Sequence, residues 1–246
     1  MNDYGNLLAQ GADLLSRTEP PAVSLIQLLM VVAAAAGLAV PRRSWRYFGL
    51  LATVTHELGH AFAALTSGQR LSGIRLRLDH SGTTTTYSRS RIAAAWSCFW
   101  GYPVPAVAGA ALVWAGLNGW APAAVAVSAL LLAASLVFLR NLAGFLITAG
   151  AIATCAGLVT LVPAPFQGHI VVVLGLALLV AAVRDLAKLV HVHLRRRDRL
   201  ATSDAYLLFR ATAIPSFIWI LLFSGVVAAA WLTVWQQVSL IVPGGT

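Results

Sequence analysis

Charge is what this sequence has least of. Only 10% of its 246 residues are Asp, Glu, Lys or Arg, and the acids number 8. A soluble domain carries about 25% charged residues, so composition excludes an ordinary water-soluble fold and leaves too few polar residues for a separate soluble domain. Cysteine is as scarce: Cys98 and Cys155 each fall in an apolar stretch, no disulfide framework is implied, and nothing indicates redox chemistry. The first twenty residues hold Asp3, Asp13 and Glu19 and no basic stretch leading into an apolar core, so they do not read as a signal peptide. The net charge of +9 comes with no aromatic-basic recognition motif. The basic excess is therefore read as cytoplasmic loops, not as a nucleic-acid surface. Internal repeats and low-complexity linkers are also missing.

What the chain has instead is hydrophobicity, 59% of residues with a mean hydropathy of +0.80. Seven apolar stretches approach the ~20 residues needed to span a bilayer, near 22–40, 47–67, 93–117, 121–139, 141–162, 168–193 and 206–236. The fourth and fifth are separated only by Arg140-Asn141, where a break is required. The expected architecture is one all-α polytopic membrane domain over 1–246, with about seven transmembrane helices and a polar N-terminal segment at 1–21. Placing the N-terminus in the cytoplasm puts fourteen Lys and Arg residues inside and leaves Arg42, Arg43 and Arg46 outside, and the reverse gives three inside, so N-in is preferred. A multi-pass protein of the cell membrane is implied.

Residues 69–92 differ from the rest. Gln69 to Leu78 alternates polar and apolar, Asp79-His80-Ser81-Gly82 supplies turn residues, and Thr83 to Tyr87 is β-branched, which predicts a hairpin. It suits either an amphipathic element on the inner membrane face or an edge strand that pairs with an extended substrate.

Within the second span lies His56-Glu57-Leu58-Gly59-His60. On a helix the two histidines are four apart and share a face, so both imidazoles can reach one zinc, with Glu57 beside them as general base. Two His and a Glu buried in lipid are costly, and such groups persist mainly where they work. Catalytic zinc takes three protein ligands and keeps one open position. Of the eight acids only Glu57 and Asp185 fall within the expected spans. His60 and Asp185 lie roughly 10 and 13 Å inside the same membrane edge at 1.5 Å per helical residue, which makes Asp185 the preferred third ligand. Asp204 is the alternative, though capping the last helix would also suit Ser203 or Asp204. His80, His169, His191 and His193 read as surface residues. Asn141 caps the fifth helix or polarises a substrate carbonyl.

HELGHAFAAL at 56–65, the following hairpin, Gly101-Tyr102, Arg140-Asn141, Arg184-Asp185-Leu186 and Ser203-Asp204-Ala205 together resemble the site-2 protease family of intramembrane zinc metallopeptidases, in its compact B-like bacterial branch. The resemblance implies peptide-bond hydrolysis in or beside the bilayer. One catalytic Zn2+ would be held by His56, His60 and Asp185, Glu57 would be the base, and the substrate would be a membrane protein such as a single-span regulator. The family carries its acidic ligand before Gly, whereas Leu186 follows Asp185 and the chain has no Asp-Gly pair. Two other functions fit the composition: an inactive relative serving as scaffold or chaperone, and a small-solute transporter using the buried charges.

Overall fold

A computed structural model describes residues 16–241. The part of the expected polar segment before Ser16 lies outside them. The elements are α1 (Leu25–Ala39), α2 (Arg42–Thr66), β1 (Arg70–Leu76), β2 (Gly82–Tyr87), α3 (Arg91–Phe99), α4 (Pro103–Leu117), α5 (Ala121–Ser135, continued by a 3-10 turn to Phe138), α6 (Leu142–Leu161), α7 (Ala164–Arg195), α8 (Asp204–Thr212) and α9 (Ser216–Ile241).

Four helices are long and apolar enough to cross a membrane alone: α5 with its turn, α6, α7 and α9. Two further pairs qualify only together, α1 with α2 across an 86° bend and α3 with α4 across a 51° bend. Among the described residues, four to six candidate spans therefore stand where seven were expected. Each departure has a local cause. Pro41 directly precedes α2, which is too polar to count as a span alone, since Arg42, Arg43, Arg46, two histidines and a glutamate share it. The expected last span is cut at Ala213, which is left-handed (φ 62°), ahead of Pro215, and this separates α8 from α9.

The bundle is organised by α4 against α7. A Cβ on Gly109 would lie 2.6 Å from the Gly175 carbonyl, and one on Gly116 would lie 2.7 Å from that of Gly168. Such small-residue contacts let two apolar helices touch backbone to backbone, the packing that replaces the hydrophobic effect inside lipid. The pairs 109–175 and 116–168 make the helices antiparallel, and the same register carries Gly101 close to the level of Arg184. Around this axis pack α1, α5, α6 and α9, with Leu130, Leu146, Phe217 and Leu240 left exposed as a bilayer-facing surface would be.

The two ends of the bundle differ. At one end Thr18 hydrogen-bonds Gly119, Arg17 donates to the Asn118 carbonyl, and Pro21 lies against Gly168. At the other, Arg184 donates to the last carbonyls of α1, Ala39 and Val40, and stacks 3.9 Å over the Trp45 ring. A cation on a helix C-terminus satisfies carbonyls that lack helical partners, so Arg184 holds the bend from which α2 departs.

The hairpin forms as expected, antiparallel, with a bulge between Leu71 and Gly73. It lies along α2. Its turn reaches the start of that helix, where His80 Nε2 bonds the Arg46 carbonyl at 3.2 Å, and its base meets α3 through Gln69, which donates to the Ala93 carbonyl. Leu139–Asn141 supplies the other flank of β1. Leu139 bridges Ile74 in parallel, Arg140 N–H donates to the Ile74 carbonyl, and the Asn141 amide accepts from Leu76 N–H at 3.1 Å and donates to Leu76 C=O at 2.6 Å. Asn141 begins α6 without a side-chain cap. Its amide acts as one more backbone unit on the sheet, so neither expected role, capping or polarising a substrate carbonyl, is what its contacts show. With both flanks of β1 in use, β2 is the edge strand.

Candidate metal centre

The site is built where α2, α3, α8 and the hairpin meet. Helical spacing sets His56 and His60 side by side, their Nε2 atoms 3.1 Å apart. Asp204 Oδ2 stands 3.3 Å from each. Ligands at the vertices of a tetrahedron around zinc, at about 2.0–2.2 Å from the metal, are separated by ~3.3–3.6 Å. The observed triangle is close to one face of such a tetrahedron, and two nitrogens with one carboxylate oxygen are a donor set that zinc accepts. Among the described residues, His56, His60 and Asp204 are the group of three whose ligand atoms converge this way. Their side chains are 13–17% exposed, shielded but within reach of water.

Of the two acids weighed as third ligand, Asp204, the alternative, lies with the histidines, and Asp185 on α7, the preferred one, stays outside the cluster. Depth matching favoured Asp185 because it admitted acids from spanning helices alone. α8 is not one of these. Its buried face, Ala205 and Leu208, packs with Ala95 of α3, Leu189 of α7 and Phe223 of α9, which lifts its first turn against the site. Ser203 caps the helix, its Oγ accepting from Tyr206 N–H at 3.3 Å, and His193 reaches the same Oγ at 3.5 Å. The capping role considered for Asp204 is filled by its neighbour, which frees the carboxylate to face the imidazoles. The helix N-terminus also favours its negative charge. Burial opposes ionisation of Asp204, but His60 and His56 hold its carboxyl well below the usual carboxylate range.

Further contacts fix the ligands. His60 Nδ1–H donates to the Ser97 carbonyl at 2.8 Å, which leaves Nε2 with a free lone pair for a metal, the arrangement that orients most metal-bound histidines. Ser97 is tied in turn to Gln69, and Gln69 to Ser67 and Ala93, so hydrogen bonds through Gln69 join the end of α2 to the start of α3. His56 meets the edge of the Tyr102 ring at 4.9 Å, and Tyr102 stacks on Phe223 at 5.2 Å. Gly101, in the α3–α4 break, faces the imidazoles. A Cβ there would fall 2.7 Å from His56 Nε2 and closer still to His60 Nε2. Its bare Cα keeps the space beside both nitrogens open. Within the motif, Gly59 lets α2 approach α4, since a Cβ would meet Val104 at 2.9 Å. Glu57 is 5% exposed and faces the hairpin. The sequence marks Gly101 and Tyr102 as motif residues but assigns them no role; Pro103, which follows them, is its one local sign of a helix break.

A histidine pair on one helix, joined by an acid from another element and set at one end of an apolar helical bundle, is a donor set of the kind a membrane metallopeptidase uses. The chain belongs to the Peptidase M50B-like family, whose model matches residues 28–235. No curated protein matches it, and no solved structure does.

Proposed function

We propose that this protein is an intramembrane zinc metalloendopeptidase that cuts membrane-protein substrates at the end of the bundle where the metal centre lies. The observation that carries the reading is the triangle of His56, His60 and Asp204, with edges of 3.1, 3.3 and 3.3 Å, next to a buried Glu57. When bound there, zinc would polarise the scissile carbonyl and acidify a water molecule. Glu57 would take the water proton and deliver it to the leaving amine. Ser97 would hold His60 in the tautomer that presents Nε2. A substrate helix must open locally before its amides can be cut, because they are otherwise internally bonded. The free edge of β2 would hold the opened segment extended by strand addition.

The site end would face the cytoplasm. Apart from Arg17, the basic residues lie on the start of α2, the hairpin and its exit into α3, the Leu139–Asn141 link, and the chain from Arg184 to Arg210. The positive-inside tendency assigns that end inward. Arg17 and Thr18 would then lie on the outer side, beside Asn118 and Gly119, which reverses the expected cytoplasmic N-terminus.

The test combines metal analysis with cleavage of a single-span substrate in proteoliposomes. Wild-type protein and Asp185→Ala should each retain one zinc per chain, and Asp204→Ala should lose it. Glu57→Gln should keep zinc while cleavage falls by roughly 10²–10⁴-fold. Full zinc in Asp204→Ala would refute the ligand set, and wild-type cleavage by Glu57→Gln would refute the base.

A further inference from the structure

The carboxylate of Glu57 is held by the hairpin. Thr84 Oγ1 donates to Glu57 Oε2 at 2.6 Å and lies 3.2 Å from the Glu57 carbonyl. Two residues earlier on the same face of β2, Gly82 lies so close that a Cβ would fall within 2.7 Å of Glu57 Cδ. The half-buried positions of β2 are Gly82, Thr84 and Thr86, which alternate with exposed Thr83, Thr85 and Tyr87, so one face of the strand is turned toward α2. The flexible glutamate side chain is ordered only where something fixes it, and here that contact comes from the strand left with a free edge.

We infer that β2 is a positioning element for the general base. Thr84 orients the Glu57 carboxylate through one charge-assisted hydrogen bond, and Gly82 provides the room that lets the strand come close enough to make it. The inference rests on the proposed protease reading and deepens it. A substrate segment adding to the free edge of β2 would pair with the same strand that sets the base, so substrate alignment and base alignment would be mechanically one event. Thr84 is a positioning residue: it acts through Glu57 and not on the substrate.

The pattern expected of such a residue is a loss in kcat with KM unchanged. A hydrogen bond to a charged group accounts for roughly a 10–100-fold effect, so Thr84→Val should lower kcat by about that factor. Zinc content should stay at the wild-type level. Thr84→Ser keeps the hydroxyl and should restore most of kcat. Thr154→Val, at an exposed position of α6 away from the site, should change nothing. Gly82→Ala should lower kcat as Thr84→Val does, since the added methyl displaces the carboxylate.

A thermal-melting cycle in detergent tests the contact without any need for activity. Thr84→Val should lower the melting temperature in the Glu57 background, and less so in a Glu57→Ala background, because the partner is already gone. Additive shifts would overturn the coupling, as would wild-type kcat in zinc-loaded Thr84→Val. If instead zinc-loaded wild-type protein cleaves no membrane substrate while the melting cycle is non-additive, the protease reading fails and the contact survives, so the two failures are distinguishable.

Discussion

Replacing Gly101 by alanine adds one methyl group at the point where the two histidines converge. The new carbon would sit 2.7 Å from His56 Nε2 and closer to His60 Nε2, where ordinary van der Waals contact begins near 3.4 Å. Relief requires one or both rings to withdraw by most of an ångström. Metal sites tolerate deviations of only about 0.2 Å in ligand distance. His60 cannot rotate away freely, since its Nδ1 is bound to the Ser97 carbonyl, and His56 is backed by Tyr102. Losing an outer contact to a ligand already costs ~10–100-fold in metal affinity. Displacing two ligands should cost at least about 100-fold, or ~2.7 kcal/mol. The assay is zinc affinity by competition with a chromophoric chelator in detergent, with helical content measured in parallel. Gly37→Ala is the control, because nothing lies within 4 Å of a Cβ there. It should bind zinc as the wild type does. Folded Gly101→Ala with zinc affinity within threefold of wild type would refute the geometry.

Two further outcomes follow from contacts outside the centre. Asn141→Ala removes both hydrogen bonds to Leu76 and strands a buried N–H and C=O, so thermal unfolding should report a loss of about 1–3 kcal/mol with zinc still bound; an unchanged melting temperature would deny Asn141 its place on the sheet. Ala213 is held at φ 62°, where a Cβ is strained, so Ala213→Gly should leave zinc content intact and raise stability by about 1 kcal/mol, measured by the same melt.

Legibility of the fold and site divides along a physical line. Hairpin residues 69–92 were readable because strand alternation and turn chemistry are local, and the break at Arg140-Asn141 because one uninterrupted helix would have overrun a bilayer. The number of spans was less readable. Hydropathy windows do not register a bend: 22–40 and 47–67 look like two crossings, yet the helices there turn by 86° around Pro41, with Arg184, far along the chain, fixing the corner. The seventh stretch holds a short helix before Pro215, and the left-handed turn at Ala213 that ends it has no hydropathy signal. Asn141 stands out in the sequence as a polar residue in an apolar run, but its partner, the backbone of Leu76, is set only by β1 lying beside it.

By itself the sequence determined that this is a membrane protein, that a hairpin follows the motif helix, and that His56 and His60 can share a metal with Glu57 beside them. All of these depend on neighbours within a few residues, where helix and strand periodicity settle which side chains share a face. Tertiary structure alone decided which acid meets the two histidines. Asp204 sits in a short helix that no span rule would select, and it reaches the histidines because Ala205 and Leu208 pack under α3 while Ser203 takes over the cap. It also decided that Thr84 holds Glu57 and that Gly101 keeps the space beside the imidazoles open. These contacts join elements whose separation along the chain carries no periodic signal, so only packing could bring them together.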